Sequence, residues 1–337
     1  MIVNGDKCHD LLAENKPVYS FDENMSFETQ KERIRAKLIE LSGLDLIAQN
    51  ACEPNLDIEI DEMKDGYRFI RFTFESERGA VVPCYMLIPD TGKEKYPVAI
   101  VLQGHSTGFH NSIGVAKYDG DEEDIPRVAF ALQAVEQGYI ALAIEQRGMG
   151  ETKPQKPKRL WANMCHHSAS VAMLLGRSLL GERMWDVARA IDLLPNFPQC
   201  DVNDIMITGS SGGGTASYFC ACYDERIKLS APSCAFCPYP ESIMDIYHCA
   251  CNYINGAYRY FDMQDLAVLI APRKLLLVNG EKDEIFPIEG AKRGYETVKK
   301  IYKKANGENN CKLVITPKHH YWCDDIVWEE IKNFRKC

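Results

Sequence analysis

The stretch Gly209-Ser210-Ser211-Gly212-Gly213, directly behind the apolar run Ile205-Met206-Ile207-Thr208, constrains this chain more than any other. It reads as Gly-x-Ser-x-Gly at the end of a short strand, followed by small residues and by Tyr218-Phe219-Cys220 on a helix. A serine at the tip of so sharp a turn sits in strained backbone. Glycines two residues before and after it let the chain pass without Cβ clashes. Ser211 is the central serine, and Ser210 fills the variable position.

The rest of the chain supplies the sheet that such a turn requires. Val98–Leu102, Ile140–Ile144, Ile205–Ile207, Lys274–Val278 and Cys311–Ile315 are short, nearly continuous apolar runs. Helix-like stretches lie among them at 126–137, 168–194, 214–224, 289–304 and 324–334. Buried strands alternating with helices imply a mostly parallel sheet covered on both faces, an α/β fold. Ahead of them, Leu56–Ile60 and Tyr67–Phe74 alternate in polarity, and a third segment, Val81–Ile88, is closed by Pro89-Asp90; these read as antiparallel strands with one wet face and form the leading edge. Residues 1–50 read as a helical N-terminal arm, with Ser26 as N-cap, Phe27, Ile34, Leu38 and Leu41 along one face, and Gly43 as the stop. No linker or repeat divides residues 51–337, so one domain follows the arm. The arm covers either its own sheet or a neighbouring subunit, which leaves a homo-oligomer open.

The chain has 337 residues and a formal charge of −9. No basic stripe tracks phosphates, and Lys156-Pro157-Lys158-Arg159 reads as a solvated loop, so nucleic acid is not an expected partner. Met1–Lys7 lacks the basic and apolar regions of a signal peptide, and no apolar run is long enough to span a bilayer. Fourteen cysteines in a long chain without such a signal read as reduced thiols. Cys84 and Cys220, within apolar stretches, pack as small hydrophobes. The expected location is the cytoplasm.

A serine hydroxyl needs a base within hydrogen-bond reach, itself oriented by a carboxylate. In a parallel sheet such groups belong at the carboxyl ends of strands. Asp283 lies just past Leu275–Val278, with Glu281 and Glu284 as nearby rivals. His319 and His320 follow Leu313–Ile315 through Thr316-Pro317-Lys318, and either could be the base. The chain order Ser211, Asp283, His320 places three roles at three strand ends. The loop Gln103-Gly104-His105-Ser106-Thr107-Gly108 follows another strand. The backbone N–H groups of Gly212 and His105 are the candidate oxyanion donors, and the His105 ring is read as shaping the pocket.

With these residues in place the sequence resembles the α/β-hydrolase superfamily, in its acetyl xylan esterase and dienelactone hydrolase-like branch, over roughly residues 80–335. The resemblance rests on the serine turn and on Glu145-Gln146-Arg147-Gly148-Met149-Gly150-Glu151, similar to the Arg-Gly-x-Gly loop of these esterases. It rests also on Gly181–Asp192, similar to the branch's helix before the serine strand, and on His320-Tyr321-Trp322-Cys323-Asp324-Asp325, similar to its terminal His-aromatic segment. That last match favours His320, although Lys318-His319 stands where the branch usually has Gly. The resemblance implies a serine esterase acting on a small-molecule or carbohydrate ester, with no cofactor. Trp185 and Asp186 then read as a structural anchor. A prolyl-oligopeptidase-like serine peptidase would share the fold and residue order, but usually carries a large N-terminal propeller for which this chain has no room.

Residues 233–262 break the strand–helix alternation and read as an insertion near the pocket. Cys234-Ala235-Phe236-Cys237 and His248-Cys249-Ala250-Cys251 supply enough soft ligands for zinc. Their spacing matches no common zinc module, so a thiol- and aromatic-rich wall is the expectation and no metal is assigned. A non-catalytic protein that binds metal or a partner on the same scaffold is the remaining alternative.

Overall fold

The computed structural model describes residues 6–154 and 164–336; Lys156–Arg159 lie outside them. Nine strands form one sheet: β1 (Asp57–Lys64), β2 (Tyr67–Glu77), β3 (Ala80–Pro89), β4 (Tyr96–Leu102), β5 (Ile140–Ile144), β6 (Cys200–Ser210), β7 (Ile227–Ser233), β8 (Lys274–Gly280) and β9 (Cys311–Thr316). Their order across the sheet is β1-β2-β3-β5-β4-β6-β7-β8-β9. β1, β2, β3 and β5 pair antiparallel in succession, and every later pairing is parallel. The helices are α1 (Lys7–Ala13), α2 (Phe27–Ser42), α3 (Leu44–Ala48), α4 (Asp121–Val128), α5 (Phe130–Glu136), α6 (Met164–Leu174), α7 (Leu179–Leu193), α8 (Gly212–Tyr223), α9 (Ala267–Ile270), α10 (Ile288–Lys304) and α11 (Asp324–Lys336).

The continuous apolar runs are explained by burial on both sides. In β4, Val98, Ile100 and Leu102 enter one core with Ile34, Met184 and Phe219. Ala99 and Val101, pointing the opposite way, enter a second core with Phe130, Trp322 and Trp328. Period-two alternation is silent when both faces are dry.

Four expectations need correction. β3, expected to have one wet face, is buried without a break from Val82 to Pro89, because β2 and β5 flank it and both of its faces are covered. The stretch 168–194 is two helices, because Gly176 turns the chain at φ +74° and Ser178 caps α7 through Gly181 N–H. The stretch 126–137 is likewise split, between α4 and α5. β1 has no dry face: it is the outermost strand and every residue in it is exposed, Ile58, Ile60 and Met63 included. Its alternating polarity therefore reports β structure without a core beneath it.

The arm lies on its own chain. Ser26 Oγ accepts from Thr29 N–H to start α2, and Gly43 ends it at φ +73°. Ile34, Leu38, Leu44 and Ile47 are buried in the first core. Phe21 N–H donates to the Asp265 carboxylate, and Ser178 N–H to Ser42 O.

Candidate active site

At the β6–α8 junction Ser211 has φ +57° and ψ −123°, a conformation that L-residues avoid and that tertiary contacts must hold. The glycines around it are required by close approach. A Cβ on Gly213 would lie 2.1 Å from Leu102 O, and one on Gly209 2.4 Å from the same oxygen. Ser211 N–H donates to Ser233 O at 2.9 Å, and α8 begins at the next residue. The positive end of that helix therefore faces the serine.

Asp283 is buried in the turn after β8, and His320 follows β9. His320 Nδ1 stands 2.9 Å from Asp283 Oδ2. Oδ1 accepts from the N–H groups of Ile285 and Phe286 at 2.9 and 3.0 Å. Burial acts to raise the Asp283 pKa, but His320 and the two amides outweigh it and hold the carboxyl below its usual value. The two turns are laced together: Glu281 N–H donates to Thr316 O and Lys282 N–H to Lys318 O. Phe286 stacks on the His320 ring at 5.9 Å between centroids. The other ring nitrogen, Nε2, is buried and makes no hydrogen bond among the described residues.

The rivals lie elsewhere. His319 is exposed, with Nδ1 3.1 Å from Lys282 O, and Glu281 and Glu284 are exposed. Cys234 follows Ser233, whose carbonyl accepts from Ser211 N–H. The Cys234 sulfur lies within 4.8 Å of the Asp283 carboxylate and a His320 ring nitrogen.

The loop after β4 lies against the serine turn. A Cβ on Gly104 would meet Ser210 O at 2.8 Å and Ser211 Cβ at 3.3 Å. A Cβ on Gly212 would lie 3.0 Å from His105 Nδ1 and 3.9 Å from His105 N. The two backbone N–H groups named from sequence therefore belong to adjacent residues in space. Beneath them is a pair that sequence reading did not assign. Buried Gln103 donates to Glu145 Oε1 at 2.6 Å, and Oε2 accepts from Phe109 and Glu151 N–H. Burial pushes Glu145 up to about 7 even though these donors favour its charge. A second His–Asp pair, His110 and Asp121, is buried at 3.0 Å within the next turn, where Thr107 also donates to Asp121.

Asp186 is bound through both oxygens by Arg147 and accepts from Ser76, while Trp185 Nε1 donates to Ser76 O. These residues clamp the 145–151 loop to β2 and α7. In the 233–262 segment, burial pushes the Cys234 and Cys237 thiols up to about 12. His248 packs edge-on against Phe286. Neither cysteine nor His248 belongs to the group formed by Cys249 and Cys251, whose partners His105 and Cys165 come from elsewhere in the chain. A groove of about 670 Å³ between α1 and the 239–259 segment is lined by none of Ser211, Asp283 and His320. Among the described residues no helix is long and apolar enough to cross a membrane.

Comparison with known proteins agrees with this architecture. The Bacillus subtilis (strain 168) protein named "Putative hydrolase YtaP" is 23% identical over 257 residues, covering 75% of this chain and 83% of that one. A Bacteroides fragilis structure described as a "putative acetyl xylan esterase" superposes with a TM-score of 0.81 at 16% identity, over 99% of this chain and 95% of that one. A glucuronoyl esterase from Solibacter usitatus does so at 0.67 and 14%, over 95% and 96%. The sheet order, the strained serine turn and the helices on both faces are those of an α/β-hydrolase, and the model of the Abhydrolase family matches residues 3–321: the chain belongs to that family.

Proposed function

We propose that this protein hydrolyses carboxylic esters through an acyl-enzyme on Ser211, with residues 51–337 as the hydrolase domain and 1–50 as an arm that braces it. The observation that carries the reading is His320. One ring nitrogen is fixed by buried Asp283, and the other is buried without a partner among the described residues, at the same carboxyl end of the sheet as the strained serine. His320 takes the Ser211 proton as Oγ attacks the carbonyl and returns it to the leaving alcohol. Asp283 orients the imidazole and stabilises its cation. Charge on the tetrahedral oxygen is met by the N–H groups of Gly212 and His105, each worth about 10²–10³ in rate. Water then attacks the acyl-enzyme by the same route.

The substrate class is a small-molecule or carbohydrate ester, with an acetylated sugar first. Structures of similar fold are named as acetyl xylan and glucuronoyl esterases. No cysteine among the described residues is in a disulfide, which fits a reducing compartment such as the cytoplasm.

The test compares wild type, Ser211→Ala and Asp283→Asn on p-nitrophenyl acetate and acetylated xylo-oligosaccharides. Ser211→Ala should abolish turnover, and Asp283→Asn should lower kcat by about 10⁴. Turnover retained by Ser211→Ala contradicts the mechanism. An enzyme that cleaves peptide amides but neither ester belongs to the peptidase reading instead.

A further inference from the structure

Beside the serine turn, a His105 ring nitrogen and the sulfurs of Cys165, Cys249 and Cys251 all lie within 4.8 Å of one another. They come from three separate parts of the chain: the loop after β4, the first turn of α6 and the segment after β7. His105 Nε2 and Cys251 Sγ are 3.2 Å apart. Four soft donors converging on one point is the arrangement of a tetrahedral zinc site. With zinc–sulfur bonds of about 2.3 Å and a zinc–nitrogen bond of about 2.0 Å, the edges of such a site are roughly 3.5–3.8 Å. The 3.2 Å pair would open slightly and the others, all within 4.8 Å, would adjust by about 1 Å or less to reach that geometry.

A second observation points to the same conclusion. Arg183 on α7 is almost wholly buried, and among the described residues its hydrogen bonds go to a carbonyl and a sulfur rather than to a carboxylate. Its Nη2 lies 3.0 Å from Cys165 Sγ and 2.9 Å from Arg147 O. A buried guanidinium requires negative charge nearby. Three thiolates around a divalent cation leave one net negative charge, which Arg183 balances. Met149, Ala169 and Leu179 pack against the buried Cys165 and Cys251, while Cys249 is half-buried and His105 lies at the exposed rim, an apolar floor that limits solvent access to the sulfurs.

We propose that His105, Cys165, Cys249 and Cys251 bind one zinc ion that staples the loop after β4 to the pocket wall. With four protein ligands no coordination position remains open, so the ion positions and does not act as a Lewis acid. The His105 ring lies over Gly212, so the staple also fixes the backbone beside the serine. The motif was invisible as a spacing pattern because two of its ligands lie far from the 233–262 segment.

The test is metal content by mass spectrometry on full-length protein purified under reducing conditions, before and after incubation with zinc. The expected result is about one zinc per chain, and a cobalt-substituted form with the thiolate charge-transfer and visible bands of a tetrahedral site. Cys165→Ser and Cys251→Ser should lose the metal, Cys237→Ser should keep it, and Arg183→Gln should weaken it by about 10–100-fold. Ser211→Ala should keep a full complement, so metal binding is read independently of ester hydrolysis. Wild-type protein that holds no zinc after gel filtration overturns the proposal. So does an intact mass showing a disulfide within the cluster in reduced preparations. Where the cysteine variants do not fold, X-ray absorption at the zinc edge of wild type decides: three sulfurs and one nitrogen support the site, and any other ligand set overturns it.

Discussion

At the scale of single residues the site depends on groups whose charge is set by what surrounds them. Asp121 accepts from Thr107 and from the N–H groups of Lys117 and Tyr118, and faces His110. Burial opposes its charge, but these partners win and hold its pKa well below the usual carboxylate value. A carboxyl lowered on folding gives stability that is fully present above its unfolded value, near pH 4, and lost as pH falls through the folded value. Asp121→Asn should therefore cost roughly 1.5–3 kcal/mol at neutral pH. Thermal midpoints measured from pH 7 down to 3 should show the gap to wild type narrowing below about pH 4. A gap that does not change with pH contradicts this account. Residues of this kind were the least legible in the sequence. Ser211, Asp283 and His320 could be named because a strand end precedes each. Glu145 also follows a strand, yet nothing in the local pattern says that Gln103 lies across from it. Cys165 and Arg183 carry no local signal either, because what distinguishes them is a neighbour distant in the chain.

At the scale of elements, the β6–α8 turn is held by close backbone contact rather than by side-chain packing. Gly213→Ala would drive a methyl into Leu102 O and Gln103 O, both main chain and unable to rotate away. The expected cost is about 2–3 kcal/mol, at the upper end of ordinary overpacking. Denaturant unfolding of the variant measures it. A midpoint equal to wild type would mean that the turn is looser than described. The parallel strands were legible because double burial makes them uniformly apolar, and β1 and β2 because their polarity alternates; β3 is apolar throughout and dry on both faces, so its wet face was misjudged. Helix boundaries were less so. The break between α6 and α7 depends on Gly176 at positive φ, where the arm packs close: a Cβ on Gly43 would meet Gly176 O at 2.7 Å. A single glycine in a helical pattern is ambiguous until that neighbour is known.

At the scale of the whole molecule, the arm completes one of the two cores. Ile34, Leu38, Leu44 and Ile47 are at most 2% exposed, and each is worth about 1.5–3 kcal/mol of burial. Removal of residues 1–50 should expose their counterparts on α7 and α9 and lose most of a typical domain's stability of about 5–15 kcal/mol. The predicted outcome is insoluble or dye-binding protein, read by light scattering and fluorescence. A truncated chain with an unchanged thermal midpoint would show the arm to be dispensable. The arm's helices were readable from Ser26 and Gly43, but the surface they cover was not, since an amphipathic face names no partner. The central claim, that the fold exists to activate one serine, is tested most directly by fluorophosphonate labelling read by intact mass. Wild type should gain one adduct and Ser211→Ala none. A well-folded wild type that takes no adduct, or an adduct that persists in Ser211→Ala, would contradict the assignment of Ser211.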